Sequence, residues 1–201
     1  MKIFLIGMLS IGGLLMLSQV IMNRSAGNIE MYKYKVIRAY DDFEIRAYEP
    51  AVFTYVTMDQ GSYEETSRSG FRQLAGYIFG NNEKRQKIAM TSPVAMTLED
   101  SVTMMFMVPS EYQMSDLPKP NDPKVKFREE PEKYVAAVRF GGWASDKKIA
   151  SNTQRLKALL EANKIEHSGH FSYLGYNPPY EVVNRRNEIV VEVDIRSINQ
   201  P

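Results

Sequence analysis

Hydrophobic residues in this chain change their spacing twice, each time from alternation to helical period and back again. That double switch constrains the fold more than any other feature, because period two suits half-buried strands and period 3.6 suits one face of a helix. In the first half, Tyr34 to Ile37 and Phe43 to Tyr48 read as paired strands with Asp41-Asp42 at the turn. Ala51 to Met58 resumes after Pro50. Ser67, Phe71, Leu74 and Ile78 then fall at i, i+4, i+7 and i+11, one stripe of a helix over about 62–79, with a stop signal at Gly80-Asn81-Asn82. Strands are expected at Lys87 to Met90 and at Val102 to Val108.

Leu117 to Asp122 and Pro123 form a join, because prolines at 118, 120 and 123 cannot sit within a sheet ladder. The order of elements then recurs. Val125 to Glu129 and Lys133 to Phe140 read as strands, and Ile149, Thr153, Leu156 and Leu160 stripe a helix over about 145–163. Phe171 to Tyr176, the turn Asn177-Pro178-Pro179, and Ile189 to Ile195 complete the second half. A shift of 82 lays Arg46 on Arg128 and Phe53 on Val135, and a shift of 85 lays Ser92-Pro93 on Asn177-Pro178. The expectation is one α+β domain over 34–201: a distorted antiparallel β-barrel of two pseudo-twofold-related repeats, about 34–116 and 124–197, flanked by two α-helices.

Ahead of it lie a spacer, 25–33, and a leader, 1–24. Ile3 to Met22 is uncharged, polar only at Ser10, Ser18 and Gln19, and as a helix would span roughly 30 Å, the thickness of a hydrocarbon core. The cleavage candidate Arg24-Ser25-Ala26 sets Arg at −3, where a small residue is preferred, so an uncleaved membrane anchor is the first reading and a cleaved signal peptide the second. Arg24, Lys33, Lys35 and Arg38 follow the run and only Lys2 precedes it, a count that favours a cytoplasmic domain. The export-like leader favours the outside, and that is the orientation expected; cleavage would make the domain secreted or periplasmic.

Composition removes several function classes. Lysine plus arginine number 25 against 24 acidic residues; setting aside Lys2 and Arg24 leaves 23 against 24, with no basic run, so no nucleic-acid partner is expected. The absence of cysteine excludes disulfides, thiolate metal sites, iron–sulfur clusters, c-type haem attachment and a thiol nucleophile. His167 and His170 are the only histidines, and in a strand or loop their spacing does not converge on a metal. No Gly-x-Ser-x-Gly elbow or phosphate loop is present. Met90, Met96, Met104, Met105 and Met107 crowd one region, which reads as core or pocket lining rather than a copper site. Tyr173, Tyr176 and Tyr180 ring the second proline turn, either lining a cleft or capping a core.

Several segments are nonetheless familiar together. Phe43 to Tyr48, Tyr77 to Asn82, Ile88 to Val94, Phe140-Gly141-Gly142-Trp143, Gly175 to Pro179 and Arg185 to Glu188, in that order, resemble the SOUL haem-binding family. The resemblance implies a two-repeat distorted barrel with two helices and non-catalytic binding of haem or a related porphyrin, as carrier or buffer. In the family the slot is associated with the first helix and the loop before the last strand. Carried onto this chain, Phe71, Leu74, Ala75 and Ile78 supply the wall, Tyr180 the loop side, and Arg68, matching a basic family position, a partner for a propionate. Glu181 aligns where some haem-binding relatives carry a basic residue, and a carboxylate there repels propionates. No histidine falls at a position the family uses for iron, so the metal ligand is unassigned: Tyr, Met or no axial bond. Two other readings stay open, a binding module for another amphipathic small molecule and a tetrapyrrole-processing enzyme.

Overall fold

The computed structural model describes residues 29–99, 101–178 and 180–198. The chain divides into two compact units, Met1–Glu30 and Met31–Pro201, and the second carries the sheet and helices described below. The expected leader anchor lies outside the described residues; among those that are described, no helix is long and apolar enough to cross a membrane.

After the two-residue strand β1 (Glu30–Met31), the chain builds β2 (Tyr34–Ala39), β3 (Glu44–Tyr48) and β4 (Ala51–Met58), then helix α1 (Tyr63–Ile78). The short β5 (Thr91–Ser92) leads to β6 (Val94–Thr97) and β7 (Val102–Met107). The second half supplies β8 (Lys126–Glu130), β9 (Lys133–Gly141), helix α2 (Asp146–Ala162), β10 (His167–Gly175), β11 (Arg186–Val193) and a one-turn helix α3 (Ile195–Ile198). Nine strands form one antiparallel sheet in the order β2-β3-β9-β11-β10-β6-β7-β4-β8. It curls into a half-barrel flanked by the two long helices expected, with the one-turn α3 as a third.

The order from β3 to β8 reads the same backwards when β3 is exchanged with β8, β4 with β9, β7 with β11 and β6 with β10. β3 thus pairs with β9 of the second half, and β8 with β4 of the first. A shift of 82 carries β3 onto β8 and β4 onto β9, and a shift of 85 carries β7 onto β11, but the two proline turns do not correspond. Pro93 precedes β6 whereas Pro178 follows β10, and the two turns meet as neighbours: Val94 pairs with Gly175, and Ser92 Oγ donates to the Tyr176 carbonyl at 3.1 Å.

Both long helices start where serine caps them. Ser62 Oγ accepts from Glu65 N while the Glu65 carboxylate accepts from Ser62 N, a reciprocal capping box, and Ser145 Oγ accepts from Lys148 N. Alternation along the strands then sorts side chains onto two faces. The helix-side face holds the larger core, including Ile45, Val56, Met104, Phe106, Val138 and Ile189, under Leu74, Ile78, Leu156 and Leu160. The concave face holds a smaller cluster built on Tyr48, Phe53, Met105, Val135, Leu174 and Val190. The methionines divide between these faces, Met96 and Met104 on one, Met105 and Met107 on the other.

One expected strand is absent. Lys87 to Met90 is irregular, because Asn82 fixes its start by donating to the Gln86 carbonyl at 2.7 Å and accepting from Gln86 N at 3.0 Å, while Ile88 N bonds back to Ile78 O. The strand lies one step later, in β6, immediately after Pro93. Proline is tolerated there because it stands outside the ladder. β10 begins four residues before Phe171, across a register irregularity between His167 and Phe171, and β11 ends at Val193.

Candidate functional site

α1 packs across β4 and β7, and its first turn reaches β10. Tyr63 stacks edge-on against Tyr173 with centroids 5.3 Å apart, and Tyr63 Oη lies 3.4 Å from Tyr173 Oη. From there a chain of bonds crosses the sheet end: Tyr173 Oη donates to Asn187 Oδ1 at 2.7 Å, and Asn187 Nδ2 donates to the Gly142 carbonyl at 2.8 Å. Burial, then the neighbouring Tyr63, pushes the Tyr173 phenol above its usual range, so it remains a donor.

The loop leaving β10 is shaped by two residues. Arg185 donates to the carbonyls of Pro178, Glu181 and Asn177 and lies over the Trp143 ring at 4.1 Å. Asn177 bonds the Glu181 carboxylate with its amide and accepts from Arg186 N at 2.6 Å. A loop tied down by its own backbone carries its apolar side chains outward: Tyr180, Val182, Val183 and the neighbouring Trp143 are all exposed. Across the sheet, Phe71 of α1 meets Phe106 with centroids at 5.3 Å, and Phe106, Val94 and Gly175 stand in register on three successive strands. Two strand spacings of about 4.8 Å therefore separate the Phe71–Phe106 contact from the strand that feeds the loop. Gly175 keeps this stretch low, since a Cβ there would meet Tyr173 Oη at 2.9 Å.

The expected site residues divide in two. Leu74, Ala75 and Ile78 are buried beneath α1 against the sheet. Phe71 and Tyr180 are exposed, and Arg68, its side chain 68% exposed, pairs with Glu64 at 2.7 Å. Of the six, Arg68, Phe71 and Tyr180 are therefore open to solvent, and Leu74, Ala75 and Ile78 are not. The histidines do not converge: His167 Nδ1 accepts from Gly169 N, while His170 Nδ1 lies 2.8 Å from Glu99.

Sequence reasoning touched the concave face only through Met105 and Met107, read as core or pocket lining. At its centre Glu188, fully buried, accepts five hydrogen bonds: two from Arg46, two from Arg186 and one from Tyr176 Oη. Burial alone would raise the Glu188 carboxyl, but hydrogen bonds and charge from Arg46, with Tyr176 and Arg186, outweigh it and hold the group below the usual carboxylate range. Beside this network opens a cavity of about 370 Å³. Phe53, Met105, Val135, Leu174 and Val190 line it apolar, and Glu99, Glu130 and Glu192 bring carboxylates to it. The alternation of Glu188, Val190 and Glu192 puts them on one strand face but does not show the arginines opposite.

Comparison with known proteins supplies the family. A profile of the SOUL heme-binding protein family matches residues 29–192. The chain is 29% identical over 182 residues to "Heme-binding protein 1" of Xenopus laevis, covering 85% of this chain and 95% of that one. It is 31% identical over 156 residues to "Heme-binding protein 2" of Homo sapiens, covering 73% and 76%. Among solved structures, the C-terminal domain of EcmrR aligns with a TM-score of 0.61 at 10% identity, over 80% of this chain and 98% of that one. A hydrolase from Listeria innocua aligns with a TM-score of 0.56 at 9% identity, over 79% and 94%. Those two likenesses concern the fold alone. The match over residues 29–192 together with the curated relatives is decisive: the chain belongs to the SOUL heme-binding protein family.

Proposed function

We propose that this protein binds haem or a related tetrapyrrole, as a carrier or buffer without turnover, between α1 and the loop that links β10 to β11. The observation that carries the reading is a set of exposed apolar side chains, Phe71 on the helix and Tyr180, Val182 and Val183 on the loop. Scattered exposed apolar residues need no explanation, but several on one loop beside a helix mark a binding surface. The names of the curated relatives point to the same ligand class. Arg68 supplies the cation that a propionate requires, exchanging its exposed partner Glu64 for the ligand. The concave cavity is the poorer host for a dianionic porphyrin, since its three carboxylates outnumber the two permanent cations, Arg128 and Lys133, that also line it. With no histidine on the rim, the iron is held by Tyr180 or by no protein ligand. Residues 1–24 anchor the domain to a membrane, outside the cytoplasm; that part of the reading rests on the apolar run Ile3 to Met22.

Titration of the purified chain with haem, followed at the Soret band, tests the proposal. A saturable Soret shift that persists through prolonged incubation supports binding without turnover. No shift at stoichiometric haem would refute binding, and progressive bleaching would convert the reading to that of an enzyme.

A further inference from the structure

The cavity on the concave face is unexplained by a tetrapyrrole site on the helix side, and its lining has a chemistry of its own. At about 370 Å³ it lies near the lower end of the roughly 300–1,000 Å³ typical of small-molecule pockets. One wall is aromatic: Tyr32 packs on Tyr48 with centroids at 4.5 Å and on Phe53 at 5.2 Å. Its charges are unevenly matched. Arg128 and Lys133 both pair with Glu130, each at 2.6 Å, and Lys133 reaches Glu192 only at 3.5 Å. Glu99 faces His170, which offsets it only when protonated. Three carboxylates thus stand against two permanent cations, beside an aromatic wall and an apolar floor.

Tyr32 adds an independent sign. It is 8% exposed, it lines the cavity, and its hydroxyl is buried with no hydrogen-bond partner among the described residues. A buried hydroxyl left unpaired is costly, and native structures rarely keep one without a role. Burial first, then the charges of Glu130, Tyr48 and Glu192, keeps this phenol protonated far above neutral pH, so it is available as a donor.

We infer that the concave cavity is a second ligand site, for a compact aromatic cation that also carries a hydrogen-bond acceptor. The cation sits against the tyrosine and phenylalanine faces and the excess carboxylate. The acceptor takes the Tyr32 hydroxyl, and the remaining ring surface covers Met105, Leu174 and Val190. The excess of one carboxylate over the permanent cations favours a cation over a tetrapyrrole dianion, so the two sites select opposite charges.

Berberine, a quaternary aromatic cation with ether oxygens whose emission rises on leaving water, is a suitable probe for the purified full-length chain. The anionic dye 8-anilinonaphthalene-1-sulfonate serves as comparator. Saturable berberine enhancement is expected, without competition from the anion. Tyr32→Phe should weaken it at least threefold, and Glu192→Lys, at an exposed rim position, at least threefold. Ser172→Trp, which fills the cavity from β10, should abolish it while circular dichroism and haem titration stay as in wild type. Equal berberine affinity in wild type and Ser172→Trp would overturn the site. Binding of the anion as tight as that of berberine would overturn the charge selection, and loss of haem binding in Ser172→Trp would make the cavity the tetrapyrrole site instead.

Discussion

Replacing Glu188 by alanine is the sharpest test of how the half-barrel is held. Glu188 sits on β11 and Arg46 on β3, with β9 between them; the register sets Val135 opposite Arg46 and Arg139 opposite Glu188, leaving Ala137 between the two. The guanidinium reaches across that small residue and makes two bonds, at 2.7 and 3.2 Å. Arg46 retains Glu44 at 2.8 Å and the Tyr34 ring at 4.3 Å, but Glu44 is partly exposed and does not compensate inside. Removing one partner of a buried, hydrogen-bonded pair costs about 3–5 kcal/mol, because the other charge is left without a counter-ion in a dry place. For a domain of this size that corresponds to a melting temperature roughly 6–20 °C lower, at about 2–4 °C per kcal/mol.

The assay is urea denaturation of wild type, Glu188→Ala, Arg46→Met and the double variant. Glu188→Ala with Arg46→Met should cost less than the two single losses added, since neither charge is then stranded, although Arg186 still loses its bonds to Glu188. The pH dependence has a definite sign. The folded Glu188 carboxyl lies below its reference value of 4.5, so its contribution is complete above that value and is lost as pH falls through the folded pKa. Wild type should therefore lose more stability than Glu188→Ala on acidification below about pH 4.3, the ordinary carboxylate range. A loss under about 1 kcal/mol for Glu188→Ala, well below the range for a stranded buried charge, would refute the reasoning.

Four further outcomes are expected. Arg68→Glu should weaken haem by about 2–4 kcal/mol through loss of a charge-assisted bond, with little change in the melting temperature; unchanged haem affinity would remove Arg68 from the site. Glu181→Gln should tighten haem, because it keeps the acceptor that Asn177 uses while removing a charge from the loop; titration beside wild type checks it. The double change His167→Ala and His170→Ala should alter haem affinity by less than about tenfold, or 1.4 kcal/mol, and complete loss of the Soret shift in a folded variant would make one of them the iron ligand. An export-dependent reporter fused after Pro201 should be active, whereas activity of only a cytoplasm-dependent reporter would reverse the orientation.

What the sequence could reveal followed from the range of the forces involved. α1 and α2 were legible to within a residue at each end, because an apolar stripe along a helix is a local pattern. β4 was legible because its alternation faces two different environments. β6 was not, and the reason is instructive: four residues after a proline carry no periodicity of their own, yet they lie at the centre of the sheet, bonded to β10 on one side and β7 on the other. Their conformation is set by partners more than 70 residues away in sequence for β10, through a ladder that only the assembled sheet provides. The same limit governs the sites. Phe71 and Arg68 could be named because a helix face is a local object. Leu74, Ala75 and Ile78 share that stripe, and only the packing of α1 on β4 and β7 shows that they turn inward. The concave face needed Arg46, Glu188, Tyr32 and Phe53 brought together from β3, β11, the segment before β2 and β4. None of these is unusual in its own segment; their chemistry arises from charges and rings that meet only in the assembled sheet.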